Sequence, residues 1–210
     1  SECLVGSEMC IRDRSTKHSI AAEKFQENRD LASWHDQTLW MVRAKRDKIS
    51  KEIPEWEKLR DMACAIKLYS NSHLDFLLQE FEKNAIANGA HVYWAKDADE
   101  YCSIVHHILE GHHVKHFIKS KSMLAEECGL NEYLEEKGIE VVESDLGERI
   151  LQLMHKRPSH IVLPAIHIKK EEIGELFVRE MGTEPGNNDQ TYLTHAARKN
   201  LRHKFIEAEA

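Results

Sequence analysis

Three short stretches hold the side chains best suited to chemistry. In "KSKSM" the hydroxyls of Ser120 and Ser122 flank the ammonium of Lys121, and Glu126 follows one turn later. At a strand-to-helix turn, free backbone N–H groups and partial positive charge would add to these side chains, and the set would suit a phosphate or carboxylate. The GxxxxGK[ST] spacing of a nucleotide-binding loop is missing. The plainer reading, serines capping a helix and a lysine lining a loop, is preferred. In "ESDLGE" the carboxylates Glu143, Asp145 and Glu148 crowd together. Neighbouring carboxylates divide into acid and base when one pKa is raised by the other. Asp145 and Glu148 also have capping-box spacing. Capping is favoured for those two, and Glu143 stays open. In "SHIVLPAIH", His160 and His167 flank an apolar run, and His167 falls just past its end, where a ligand contact is expected. These residues are candidate ligand contacts; none is assigned a catalytic role.

The fourteen histidines also include a crowd at His106, His107, His112, His113 and His116. A zinc site needs three or four convergent ligands. His106 and His107 are adjacent on an expected helix and point apart, so no metal site is assigned. Cysteine chemistry depends on which cysteines count. Residues 3–14, "CLVGSEMCIRDR", match the translation of a transposase adaptor oligonucleotide used in sequencing libraries. Residues 1–14 are therefore set aside from the fold, and Cys3 and Cys10 go with them. Cys64, Cys102 and Cys128 remain, widely spaced and without a CxxC, each read as a small buried apolar residue. A disulfide framework is not expected, and the cytoplasm is the expected compartment.

Lys and Arg number 29 against 36 Asp and Glu, a formal charge of −7. Such a mixed, mildly acidic chain presents no broad field for nucleic acid. Its apolar runs are far shorter than a membrane span.

These side chains must be positioned by a regular frame. Apolar residues recur at helical spacing at Leu59, Met62, Ala63 and Ile66, and again at Leu74, Leu77, Leu78 and Phe81. Pro54 divides this helical region, and Asn88-Gly89 ends it. From Ala90 four β-rich runs alternate with helices: "AHVYWA", "HVKHFIK", "IEVVES" and "SHIVLPA". Asp97 with Glu100 reads as a capping box for the first helix, and Gly111 as its end. The alternation predicts an α/β fold, a parallel sheet with flanking helices. Ligands of such sheets bind beyond the carboxyl ends of the strands, where the three stretches fall. The aromatics of "WHDQTLW", Trp34 to Trp40, are read as a packing or subunit contact. The expected organisation is a helical arm over residues 15–53 and an incomplete α/β domain over residues 54–210, cut at both ends.

Long stretches carry a resemblance. "WHDQTLWMVRAKRDKISKEIPEWEKLRDMACAIKLYSNSHLDFLLQEFEKNAIANGAHVYWAKDADE", "KSKSMLAEECGLNEYLEEKGIEVVESDLGERILQL", "PSHIVLPAIHIKKEEIGELF" and "LTHAARKNLRHKFIEAEA" together resemble the lactate utilization protein B family of LUD-domain iron-sulfur proteins. The resemblance implies a fold similar to sugar-phosphate isomerases and CoA transferases. It implies an electron-transfer subunit of a bacterial complex oxidising L-lactate to pyruvate, with the other subunits of that complex as partners. It also implies two 4Fe-4S clusters on CxxCxxCxxxCP motifs, which are absent from this sequence; no cofactor is expected on these residues, and the piece alone is not expected to be active. The residues leave two other readings open: a small-anion or metabolite-binding module using the strand ends, and a scaffold whose helical arm docks partner subunits.

Overall fold

The computed structural model describes residues 18–156, 158 and 160–210. The expected adaptor-like residues 1–14 lie outside these. Residues 18–38 together with Ala95–Ala210 form one compact unit, and Leu39–Trp94 form a second.

The first unit begins with α1 (His18–Glu27) and the start of α2 (Arg29–Lys51). It resumes with α5 (Ala98–Gly111), β1 (His116–Lys119), α6 (Met123–Glu127), α7 (Leu130–Glu136), β2 (Glu140–Glu143), α8 (Leu146–Met154), α9 (Lys170–Met181) and α10 (Gln190–Glu207). Local chemistry sets many of these boundaries. The Asp97 carboxylate accepts from Glu100 N–H at 2.9 Å, and Glu100 reaches back to Lys96 N–H at 2.8 Å. Ser122, Asp145 and Asp189 cap α6, α8 and α10 with their side chains. Gly182, at φ +65°, ends α9 in the left-handed conformation that side chains disfavour.

β1 and β2 pair in parallel, with Phe117 opposite Val141 and Lys119 opposite Glu143. Beside β1, Glu209 N–H donates to the His116 carbonyl at 3.0 Å and Ile118 N–H to the Ala210 carbonyl at 2.8 Å. The Glu209 carboxylate also accepts from Lys115 N–H and His116 N–H. The tail thus runs along β1 in the parallel sense. The chain leaves β1, returns as β2 on one side, and returns again through α10 on the other.

Four strands were expected and two form among the described residues. Residues 90–95 have no ladder, and their helix-proximal N–H, that of Ala90, donates back to Ala85. Residues 160–166 fold into turns, with Ile166 N–H bonded to the Leu163 carbonyl. Both sheet edges are occupied: β1 by the tail, and β2 by the Gln152 amide. Gln152 donates to the Val141 carbonyl at 2.7 Å and accepts from Glu143 N–H at 3.2 Å. Those are the two groups that a parallel neighbour's peptide would engage.

Two cores hold the unit. Cys102, Leu109, Val114, Ala125, Leu130, Leu134, Ile139 and Val141 form one, from α5, α6, α7 and the strands. Ile150, Leu176, Phe177, Leu193 and Ala197 form the other, from α8, α9 and α10. Val142, next to Val141 on the opposite face, is buried as well, as in a strand covered on both sides. Cys128 packs at the edge of the first core, and its carbonyl accepts from the Cys102 thiol at 3.4 Å.

The second unit holds the rest of α2, then α3 (Trp56–Ser72) and α4 (Leu74–Ala87). Helices flank Pro54 as expected, and Gly89 follows the end of α4. A further break at His73 separates α3 from α4, where a single helical run was read. Cys64 lies exposed on α3, contrary to the buried place expected for it.

Candidate functional site

The parallel register places Lys119 and Glu143 side by side at the carboxyl end of the sheet. The Lys119 ammonium lies 2.5 Å from Glu143 Oε1, with both side chains nearly buried. Asn131 of α7 donates to the same oxygen at 2.8 Å. Glu143 Oε2 makes no hydrogen bond among the described residues. One step outward, the Lys121 ammonium lies 2.6 Å from Glu148 Oε1. The two pairs form a short ladder of alternating charge over the strand ends. Burying ions costs desolvation energy that pairing offsets only in good geometry, so a buried ladder contributes little to stability by itself.

The carboxyls around the ladder titrate apart. Hydrogen bonding with Glu148, aided by Gly147 N–H and the Lys121 charge, holds Asp145 below its ordinary range against the opposing effect of burial. Burial and the Asp145 hydrogen bond raise Glu148, with Lys121 opposing. Desolvation by the surrounding protein, then the Glu143 charge, raise Glu126, although the residue stays exposed overall. The shared hydrogen bond thus moves the two neighbouring carboxyls in opposite directions, Asp145 down and Glu148 up.

The candidate residues therefore separate into groups. Lys121, Glu143, Asp145, Glu148 and Glu126 come together. Ser122 caps α6, accepting from Ala125 N–H at 3.2 Å, so the plainer reading of "KSKSM" holds for it. Ser120 is exposed beside them. Asp145 caps α8 as expected, through Gly147 N–H at 3.0 Å. Glu148 departs from its expected capping role, because its carboxylate is buried against Lys121.

The two histidines stand elsewhere. His160 Nδ1 accepts from Val162 N–H and Leu163 N–H, each at 3.1 Å, and so organises its own turn. The carbonyl of His167 accepts from the Trp34 indole at 2.9 Å, and its ring meets His35 edge-on at 5.8 Å. Burial, with the nearby His35 and Lys156 charges, lowers its pKa. Of the two tryptophans read as a packing or subunit contact, Trp34 is engaged in this way and Trp40 stands exposed. The intervening loop closes on the first turn of α8. A Cβ on Gly147 would fall 2.8 Å from the Pro164 ring, so only glycine admits this approach.

Lys119, Asn131, Arg149 and Gln152 were not singled out from the sequence. Lys119 alternates with Lys121 along the chain. Arg149, lowered in pKa by burial, donates to Gln152 Oε1 at 2.7 Å and orients the amide that closes β2. Among the described residues no three His, Cys, Asp or Glu side chains are grouped to hold a metal ion.

A family model described as "LUD domain" matches residues 78–210, which include every group of this site. The chain belongs to the LUD-domain family. Within curated proteins, this LUD-domain chain is similar to lactate utilization protein B of Bacillus pumilus, 42% identical over 166 residues. That match covers 79% of this chain and 35% of the relative. The protein of the same name from Bacillus subtilis is 40% identical over 169 residues, covering 80% and 35%. That from Bacillus thuringiensis is 39% identical over 165 residues, covering 78% and 34%. The LUD-domain chain thus spans about a third of the length of the curated relatives it matches. No solved structure matches it. No helix among its described residues is long and apolar enough to cross a membrane.

Proposed function

We propose that this chain is part of a bacterial iron-sulfur electron-transfer subunit that serves L-lactate oxidation in the cytoplasm, in complex with other lactate utilization subunits. The observation that carries this reading is the 40–42% identity, over four-fifths of the chain, to relatives named lactate utilization protein B. Conversion of lactate to pyruvate releases two electrons and two protons, and 4Fe-4S clusters elsewhere in the parent protein would accept the electrons. The described cysteines do not fit a cluster. Four convergent thiolates are required, whereas Cys64 is exposed on α3 and Cys102 is buried on α5. No step is therefore assigned to a cluster on these residues. The finer fold, similar to sugar-phosphate isomerases and CoA transferases, belongs to the same proposal. The test is growth on L-lactate of a bacterium lacking its own lactate utilization protein B, supplied with a version in which this chain replaces the matching third. Growth is expected; normal expression without growth overturns the reading.

A second reading has an observation of its own. The buried ladder of Lys119, Glu143, Lys121 and Glu148 stands at β1, where the chain reverses from one side of the sheet to the other, and doubly wound sheets bind ligands at such reversals. On this reading the strand ends hold a small carboxylate or phosphate. Calorimetry with lactate, pyruvate, sugar phosphates and CoA esters tests it, and heat-silent titrations with all four would remove it.

A further inference from the structure

A second polar concavity lies away from the strand ends. The C-terminal turn of α9 and one face of α10 enclose a groove of about 450 Å³. His195, Lys199 and His203 line it. Four-residue spacing stacks them on one helical face, successive turns apart. Among the described residues no carboxylate lines the groove, although the chain as a whole carries −7. None of the three makes an ion pair among the described residues. Lys204, one position beyond, differs: it is paired with Glu140 at 2.7 Å.

The groove also holds unused hydrogen-bonding capacity. Thr183 Oγ1 and Asn200 Oδ1 are shielded from solvent and have no hydrogen-bond partner among the described residues. Both residues line the groove. Buried polar atoms are normally paired, so the Thr183 hydroxyl marks a place where an acceptor fits, and the Asn200 oxygen, itself an acceptor, one where a hydroxyl of the same ligand donates. Tyr192 completes the lining; its oxygen accepts from Glu184 N–H at 2.9 Å, which leaves its own O–H to donate. Two of the carbonyls near the end of α9 are already taken. Gly182 N–H bonds to the Val178 carbonyl and Thr183 N–H to the Phe177 carbonyl, closing the helix with its own backbone.

We propose that this groove binds the oxyanion of a small metabolite, a phosphate ester or a carboxylate, with Lys199 as the central charge and His195, His203, Thr183 and Tyr192 as further donors. The volume is that of a small-molecule site, and the donors are all of the kind an acceptor-rich group requires.

The experiment is NMR titration of the full chain at constant ionic strength, following the imidazole signals of His195 and His203. Inorganic pyrophosphate is the probe in one arm and citrate in the other. Saturable shifts of both imidazoles are expected in at least one arm, and the arm that saturates tells phosphate from carboxylate. Lys199→Ala should weaken binding about tenfold, the loss of one charge-assisted hydrogen bond. Lys58→Ala on α3 should leave it unchanged. Both lysines are exposed, so folding is kept and is checked by circular dichroism. Linear, non-saturating shifts in both arms would overturn the proposal, as would equal affinity in the Lys199→Ala variant.

Discussion

Phe177 and Phe81 are the same side chain on the apolar stripe of a helix, yet Phe177 is 1% exposed and Phe81 is 62% exposed. The contrast extends to their surroundings. The unit of residues 18–38 and 95–210 carries two cores. Across residues 39–94 no described residue is buried, and Leu59, Met62, Ile66, Phe76 and Ile86 all stand open. Amphipathic spacing states that a face needs covering. It does not state which segment covers it, and helices gain most of their stability from that covering.

The largest expected effect sharpens this contrast. Phe177→Ala should destabilise by about 3–5 kcal/mol, combining lost transfer energy with a cavity. Phe81→Ala should stay within about 0.5 kcal/mol, as surface substitutions do. Denaturant midpoints measure both, and equal losses would break the comparison. Similar in size is the removal of one ladder partner. Lys119→Met leaves Glu143 buried and uncompensated, a cost of about 3–5 kcal/mol. The double variant Lys119→Met with Glu143→Leu should recover much of that, and if it recovers nothing the ladder is not the cause.

A smaller effect concerns the sheet edge. Gln152→Ala exposes the Val141 carbonyl and Glu143 N–H, a loss of about 1–3 kcal/mol for groups left unpaired. Concentration-dependent light scattering should rise too, because an open edge templates strand pairing. Unchanged scattering and stability would show that β2 needs no plug. The smallest effect is a slope with pH. Glu126 and Glu148 have raised pKa values in the fold, so the native chain holds protons that the unfolded chain releases. Their contribution is present at low pH and is lost as pH rises from the ordinary carboxylate range through the raised values. Asp145, lowered, acts oppositely: its contribution is lost as pH falls through its folded value. Denaturation across pH should show a shallower decline in Glu126→Gln than in the parent chain, and identical profiles would contradict the raised pKa.

What was legible in advance was local. Asp97 with Glu100, Asp145 before α8, Ser122 before α6 and the helical run of residues 170–181 are written in neighbours up to four positions apart. The two strands that formed were read from β-rich runs, as were the two that did not. Whether such a run becomes a strand depends on a free edge, and the tail and Gln152 occupy the edges of β1 and β2. Glu148 was misread for a related reason. Capping-box spacing lies within one turn, whereas its actual partner, Lys121, is 27 positions away and is brought near by the crossover from β1 through β2.

The amino-acid sequence alone determined the family, the local helix caps and the α/β character, because periodicity and capping act over a few residues and long matches accumulate over many. Only the tertiary structure decided that Lys119 meets Glu143, that Asp145 and Glu148 titrate apart, and that His160 and His167 stand outside the ladder. Those facts depend on register, burial and the reversal of the chain around β1, which couple residues far apart in sequence.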